Sequence, residues 1–391
     1  MGEAATAALR FDPYDPAVQD DPFPLYEVLR RDAPCYRDPD GRFFAISRYD
    51  DVRAALNDHE TYSNAGGIIL GTDVEHAPPS MVLMDPPEHT RLRNLVSRAF
   101  TPRRIATFED ALRESVDEFI DAFVGRDQVD LVPEFADLVP VRAISDIVGV
   151  PREERAQFRE WADKMIGEPD TEAGMNAMFE CFAYFGAALE DRASNPRDDM
   201  LTAMTEAEVE GEHLSLEEQI GMMLLLFFAG IETTVFHMTN IAYELGAHPE
   251  IQEALRSDPS CIPTAMEEIL RYDAPVQGDI RTLRRDVELH GEHMREGDIV
   301  LVLMGSANHD PTVFADPQTL DVTRTPNPHL TFAQGVHFCL GAPLVRLEQR
   351  VAVERLLERV PPFRLRGDGV RRRHLHGPFM RGLEAVPVVF E

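Results

Sequence analysis

Cys339 stands between two glycines at the head of a periodic segment, in Phe332-Ala333-Gln334-Gly335-Val336-His337-Phe338-Cys339-Leu340-Gly341. The helical pattern that follows covers about 342–360. A thiolate persists only where positive potential or N–H donors meet it. A helix start supplies both, through its dipole and its unpaired amides. Gly335 and Gly341 let the backbone turn sharply or approach a flat ligand, as residues with a Cβ often cannot. A buried, hydrogen-bonded thiolate on such a loop makes an axial ligand for haem iron. The competing fate of a lone cysteine is an inert place in the core.

A second group of reactive side chains lies in Ala229-Gly230-Ile231-Glu232-Thr233-Thr234, inside the most apolar helical pattern of the chain. Glycine inside a helix costs about 1 kcal/mol relative to alanine, and buried polar groups are costly unless bonded. Thr233 can return its hydroxyl to the carbonyl of Ala229 and open the helix locally. Gly230 would then leave room for a small ligand such as dioxygen. The alternative is a tolerated polar patch. Glu268-Ile269-Leu270-Arg271 adds opposite charges on one helix face. Alone, such a pair is usually solvated and contributes a few tenths of a kcal/mol.

Taken in order, these segments resemble those of the cytochrome P450 family, of the soluble bacterial type, over about 12–389. The resemblance implies a mainly α fold, the family's triangular helical prism with small β-sheets, as one haem-thiolate monooxygenase domain over residues 1–391. It implies haem b (iron protoporphyrin IX), with Cys339 as the axial iron ligand and Gly335, Gly341 and Ala229 against the cofactor. Glu232 and Thr233 are implied as the acid and alcohol that deliver protons during dioxygen activation. Glu268, Arg271 and Arg324 are implied as a structural set holding the cysteine loop.

Haem carries two propionates, which an acidic chain must meet with local cations. His89 and Arg93 are spaced to share one helix face, and with Arg281 and His337 they match propionate-contacting positions of the family. Ala333 departs from the family's usual Gly or Ser, and an alanine is strained there if the position needs positive φ. His309 stands where arginine is usual and is given no role. The implied substrate pocket draws on Ile68, Ile69, Val82, Phe228, Val276, Ile280 and Phe379. Its aliphatic and aromatic character predicts a small to medium apolar substrate. Gln277 and Asp279 are expected to bond backbone rather than substrate.

Electrons are implied to come from NAD(P)H through a separate reductase and a ferredoxin-type donor, since no flavin or iron–sulfur segment is visible. Such donors are typically acidic, so docking is expected on arginines near the cysteine: Arg98, Arg103, Arg104, Arg346 and Arg350. A haem-binding sensor without turnover, or a helical protein with a merely structural Cys339, are the other classes open at this point. The first has no use for Glu232 and Thr233.

The elements that must position these residues are mostly helical. Patterns are expected at 24–31, 50–57, 87–98, 107–124, 153–165, 176–193, 216–247, 249–257, 263–272 and 342–360, cut by 29 scattered prolines. Short strands are expected at 43–47, 287–289, 299–304 and 386–390. The segment 216–247 is apolar all round at 220–231, which marks a buried helix. With 38 Lys+Arg against 69 Asp+Glu and a net charge of −31, the chain repels nucleic acid and anionic lipid. Four cysteines without CxxC spacing make no disulfide or zinc framework. The acidic start has no apolar signal segment, so a cytoplasmic protein with no membrane partner is expected.

Overall fold

The segment Leu216–Ala247 folds as one helix of 32 residues in the computed structural model, which describes residues 9–71, 79–97, 100–167, 171–209, 211–372 and 379–391. Its start is fixed by a capping box. Ser215 Oγ accepts from the Glu218 amide, and a Glu218 carboxylate oxygen accepts from the Ser215 amide at 2.9 Å. It stops at His248, whose successor Pro249 disfavours a helical residue before it. By length and composition this helix could cross a membrane, yet 67% of its most apolar window is buried inside the protein.

Around this axis pack Leu138–Val148, Glu172–Ser194 and Ile262–Tyr272. The helix that follows the cysteine runs Ala342–Arg359 and lies against Glu109–Asp121. That interface is laced by Arg350–Glu109, Arg113–Glu354 and Arg355–Asp117 pairs. A five-stranded sheet forms a corner in the order Cys35–Arg37, Phe44–Ile46, Ile299–Val302, Asp279–Leu283 and Tyr62–Ser63. In it Leu301 pairs with Ala45 in parallel and with Ile280 antiparallel. A second sheet joins Phe363–Leu365, Pro387–Phe390 and Gln128–Asp130.

Each expected helix exists, with ends displaced by a few residues. The pattern at 176–193 begins earlier, at Glu172, because Thr171 Oγ1 accepts from the Gly174 amide at 3.1 Å and caps it there. Leu138–Val148 was not expected, since Pro140 sits within it. Proline in a first turn removes an amide that has no helical partner, so it breaks nothing. The strand expected at 299–304 ends at Val302, and Met304–Ala307 turns into a short helix instead. Asp279–Leu283 lacks clear alternation, and its strand character comes from its neighbours in the sheet.

Candidate functional site

The cysteine loop is held by its own backbone. The Cys339 amide donates to the Phe332 carbonyl at 2.8 Å, and the Ala333 amide to Leu330 at 2.8 Å. Gly335 has φ +68°, and a Cβ there would stand 2.7 Å from the Leu56 carbonyl oxygen. Glycine is required at that position. Ala333 also adopts positive φ, +55°, so the strain foreseen for an alanine in this loop is present. Gly341 is different: it is right-handed, and an added Cβ would meet the Cys339 sulfur at an ordinary 3.9 Å. Of the two uses expected of Gly341, a sharp turn is therefore not one that this backbone needs, while close approach to a flat ligand stays an expectation. What it supplies is an N–H.

That N–H and the one of Ala342 point at the Cys339 sulfur, from the first turn of the helix. Burial pushes the thiol up from its ordinary range. The two amides, Arg93 and Arg346 pull it back toward the thiolate. The sulfur opens on a cavity of about 200 Å³ between the cysteine loop and the central helix. Ala229, Gly230, Thr233 and Thr234 form the opposite wall. Thr233 Oγ1 donates to the Ala229 carbonyl at 2.7 Å, as its place in the helix predicted. Gly230 has another use than the one foreseen: a Cβ there would stand 2.6 Å from Ile144 Cδ1, so the glycine lets Leu138–Val148 approach the central helix. Glu232 is partly buried on the same helix but is not part of the cavity wall.

His89, Arg93, Arg281 and His337, drawn from three distant parts of the chain, meet along one side of this cavity. Both ring nitrogens of His89, and Nε2 of His337, are buried without a hydrogen-bond partner among the described residues. Arg93 donates to the Phe338 carbonyl at 2.5 Å, tying its helix to the cysteine loop. Arg281 pairs with Asp279 at 2.9 Å. Burial raises the Asp279 carboxyl, while Arg281 opposes the rise. Its other oxygen accepts from the Ile280 amide at 3.1 Å, so Asp279 does bond backbone. Burial first, then the charges of His89 and Arg281, push His337 down to about 3. A thiol with two amide donors, facing a cluster of cations and unbonded imidazoles, fits an iron porphyrin with two carboxylates.

Of the expected substrate-pocket residues, Val82 lines the cavity. Ile280 and Phe379 do not line this cavity; both pack into a core cluster with Phe11, Tyr26 and Leu301. Val276 is bridged to Met380, Ile68 accepts from the Ile280 amide, Ile69 faces solvent, and Phe228 packs on Phe227. Sequence reasoning missed Asn64 and Asp85. Asn64 is buried at the cavity wall, and its Oδ1 has no hydrogen-bond partner among the described residues. Asp85 accepts from Ser63 Oγ at 2.5 Å, from the Asn64 amide at 3.1 Å and from Arg284 at 2.7 Å. No local pattern joins Ser63 to Asp85, which fold together only through the tertiary structure.

Beneath the cysteine loop, Glu268 and Arg271 are fully buried and joined by two 2.8 Å bonds. Arg324 Nε reaches both Glu268 oxygens at 3.1 Å. Asn327 Nδ2 and the Asp321 amide complete the carboxylate's shell. As a bare sequence pair it read as solvated, and in the fold it is a buried hub. The arginines expected to form a free basic island are mostly engaged. Arg346 is bidentate to Glu267, Arg350 bonds Glu109 and Glu354, and Arg104 bonds Asp198. Arg103 is exposed, and Arg98 lies outside the described residues. His309 Nε2 donates to the Tyr272 carbonyl at 2.9 Å, and its ring lies tilted against Phe23.

The family model for cytochrome P450 matches residues 155–259 and 261–369. YjiB, a putative cytochrome P450 of Bacillus subtilis (strain 168), is 38% identical over 350 residues, 87% of each chain. The solved structure of PksS, the bacillaene polyketide synthase cytochrome P450 of Bacillus subtilis 168, matches with a TM-score of 0.91 at 34% identity, over 97% of this chain and 100% of that one. CYP109E1 of Bacillus megaterium, solved in complex with testosterone, matches with a TM-score of 0.87 at 32% identity, over 94% of this chain and 99% of that one. These matches cover most of the chain, and the chain belongs to the cytochrome P450 monooxygenase family.

Proposed function

We propose that this protein inserts one atom of O2 into a small to medium apolar organic molecule, holding haem b with Cys339 as its axial ligand. The observation that carries the reading is the Cys339 sulfur, met by the amides of Gly341 and Ala342 and facing a cavity flanked by His89, Arg93, Arg281 and His337. When bound, the haem iron supplies oxygen activation, and a thiolate ligand favours O–O cleavage. The remaining work belongs to side chains. His89, Arg93, Arg281 and His337 meet the propionates; Gly335 keeps the loop backbone close; Ala229 gives the central helix a flat wall.

Thr233 Oγ1 holds a proton at the cavity side of the helix, and Glu232, next to it in the chain, passes it protons that come ultimately from solvent. Glu268, Arg271 and Arg324 hold the segment that leads into the cysteine loop. An apolar substrate fits a wall that includes Met81, Val82, Ile144 and Leu225. The binding of testosterone by CYP109E1 supports a compact apolar skeleton as the class to try first. Electrons come from NAD(P)H through a separate reductase and a ferredoxin-type donor, in the cytoplasm.

The test is the absorption spectrum of the reduced, CO-bound protein. The native chain should show the red-shifted Soret band of thiolate ligation, and Cys339→Ala should lose both that band and turnover. Retention of the band in the variant would overturn the assignment.

A further inference from the structure

Glu267 and Glu268 are neighbours on Ile262–Tyr272 and serve different partners. Glu268 is enclosed by Arg271 and Arg324, whereas Glu267 faces the helix that follows the cysteine. There Arg346 Nε and Nη2 each donate to a Glu267 oxygen at 2.8 Å. His329 Nε2 stands 3.2 Å from the same carboxylate. The Arg346 guanidinium also lies 4.8 Å above the Phe332 ring centroid. Phe332 is the residue whose carbonyl receives the Cys339 amide. A delocalised cation is therefore stacked on the loop that carries the sulfur, and a carboxylate is locked onto that cation.

We infer that the Glu267–Arg346 pair sets the electrostatic potential at the Cys339 sulfur, and with it the ease with which the haem-loaded protein takes up one electron. The inference rests on Cys339 being the axial ligand. Uptake of an electron makes the site more negative, so a nearby cation favours it and a nearby anion opposes it. Arg346 does the first and Glu267 cancels part of it. Arg346 is also among the groups that draw the Cys339 thiol toward the thiolate. Burial alone would raise the Glu267 carboxyl, but Arg346 and His329 outweigh it and hold the group at about 2, so it is ionised at any working pH. Both partners border a surface cleft with Arg324 and Gln349, and the Arg346 side chain is 43% exposed. A charged protein docking in that cleft would meet this pair directly.

The two ends of the pair are positioning residues with opposite signs, and that separates them from a merely structural pair. In a mediator-equilibrated redox titration of the haem-loaded protein, Glu267→Gln should raise the equilibrium constant for one-electron uptake. Arg346→Gln should lower it, and Arg346→Lys, which keeps the charge, should stay near the native value. Each neutral variant should move the constant about tenfold, equivalent to about 59 mV for one electron. Shifts in the same direction for both neutral variants, or changes under about threefold, would overturn the inference. Should Glu267→Gln not load haem, the arginine variants decide, and equal displacement by Gln and Lys would sink it. The CO-bound spectrum, taken on the same samples, keeps the two readings apart. Absence of the red-shifted band from the native protein would remove the axial-ligand reading, whereas its presence with unmoved potentials removes only this inference.

Discussion

The rings of His89 and His337 stand 4.3 Å apart, tilted by 58° to one another, where the Glu88–Ser97 helix meets the cysteine loop. Two imidazoles at this distance cannot both carry a proton comfortably, and burial pushes each of them down, with neighbouring cations adding to the effect. Both His89 nitrogens and His337 Nε2 have no hydrogen-bond partner among the described residues, although a buried unmade bond costs about 1–3 kcal/mol. Side chains placed at such a cost are suited to an anionic ligand that bonds them both.

His89→Leu should therefore act in opposite directions on two measurements. The haem-free protein should become more stable, by about 1 kcal/mol or more, because two buried polar atoms are replaced by methyl groups. The haem-loaded protein should release its cofactor about tenfold faster, since a hydrogen bond to a charged group contributes about 1.5–3 kcal/mol. Thermal unfolding of the haem-free form and transfer of haem to an excess of a competing apoprotein read the two effects. A variant that loses stability in both forms would show that His89 is only a packing residue.

Glu268→Gln should destabilise the fold by about 3–5 kcal/mol, because it leaves Arg271 and Arg324 buried against a neutral amide. Arg271 also donates to the carbonyls of Asn308, Pro317 and Thr319, so its misplacement would reach the segment leading to the cysteine. An exposed pair gives the scale for comparison. Glu118→Gln, at the Arg152 contact, should change stability by no more than about 1 kcal/mol. Denaturant unfolding of both variants checks the contrast, and equal small losses would mean the buried hub is replaceable.

These two glutamates show what a sequence pattern does and does not carry. The spacing of Glu268 and Arg271 is the same as that of many solvated pairs, and only Arg324, Asn327 and the Asp321 amide, which come from later in the chain, make it a core group. The central helix was legible to its last residue, since Ser215, Glu218 and Pro249 are local signals and its apolar run needs no partner to be recognised. The cysteine loop was legible for the same reason. Leu138–Val148 was hidden by Pro140, whose effect depends on where in a helix it falls. The walls of the cavity were the least legible part. Ile280 and Phe379 are apolar like Val82, but which side of a strand or turn faces the core is set by its sheet partners.

Thr233→Ala should leave haem content and substrate binding intact and uncouple electron use from product formation. The hydroxyl bonds only its own helix, to Ala229, and alanine is a better helix former, so the fold has no reason to suffer. Proton assistance of this kind is typically worth about 10²–10⁴ in rate. Peroxide released per electron pair consumed, measured beside product, should rise in the variant, and Thr233→Ser should recover much of the coupling. Unchanged coupling in the alanine variant would exclude the hydroxyl from proton delivery.

His248 ends the central helix and gives the stability of this protein a dependence on alkaline pH. Its ring stands 3.4 Å from Glu244 and 3.1 Å from Glu250, and these carboxylates, Glu244 foremost, raise it to about 9 against an ordinary value near 6.5. The folded state therefore holds a proton that the unfolded chain releases between those limits. The stabilisation is fully present below about pH 6.5 and fades as pH rises through about 9. Burial raises Glu244 as well, which acts in the same direction, while the lowering of Glu250 is felt only in the acid range. Solvent reduces the size of the effect, because the His248 side chain is 38% exposed. His248→Gln should be less stable than the native protein at pH 6 in denaturant unfolding, and the gap should close by pH 10. A gap of constant size across that range would mean that the ring acts through packing at the helix end, and that its charge contributes nothing.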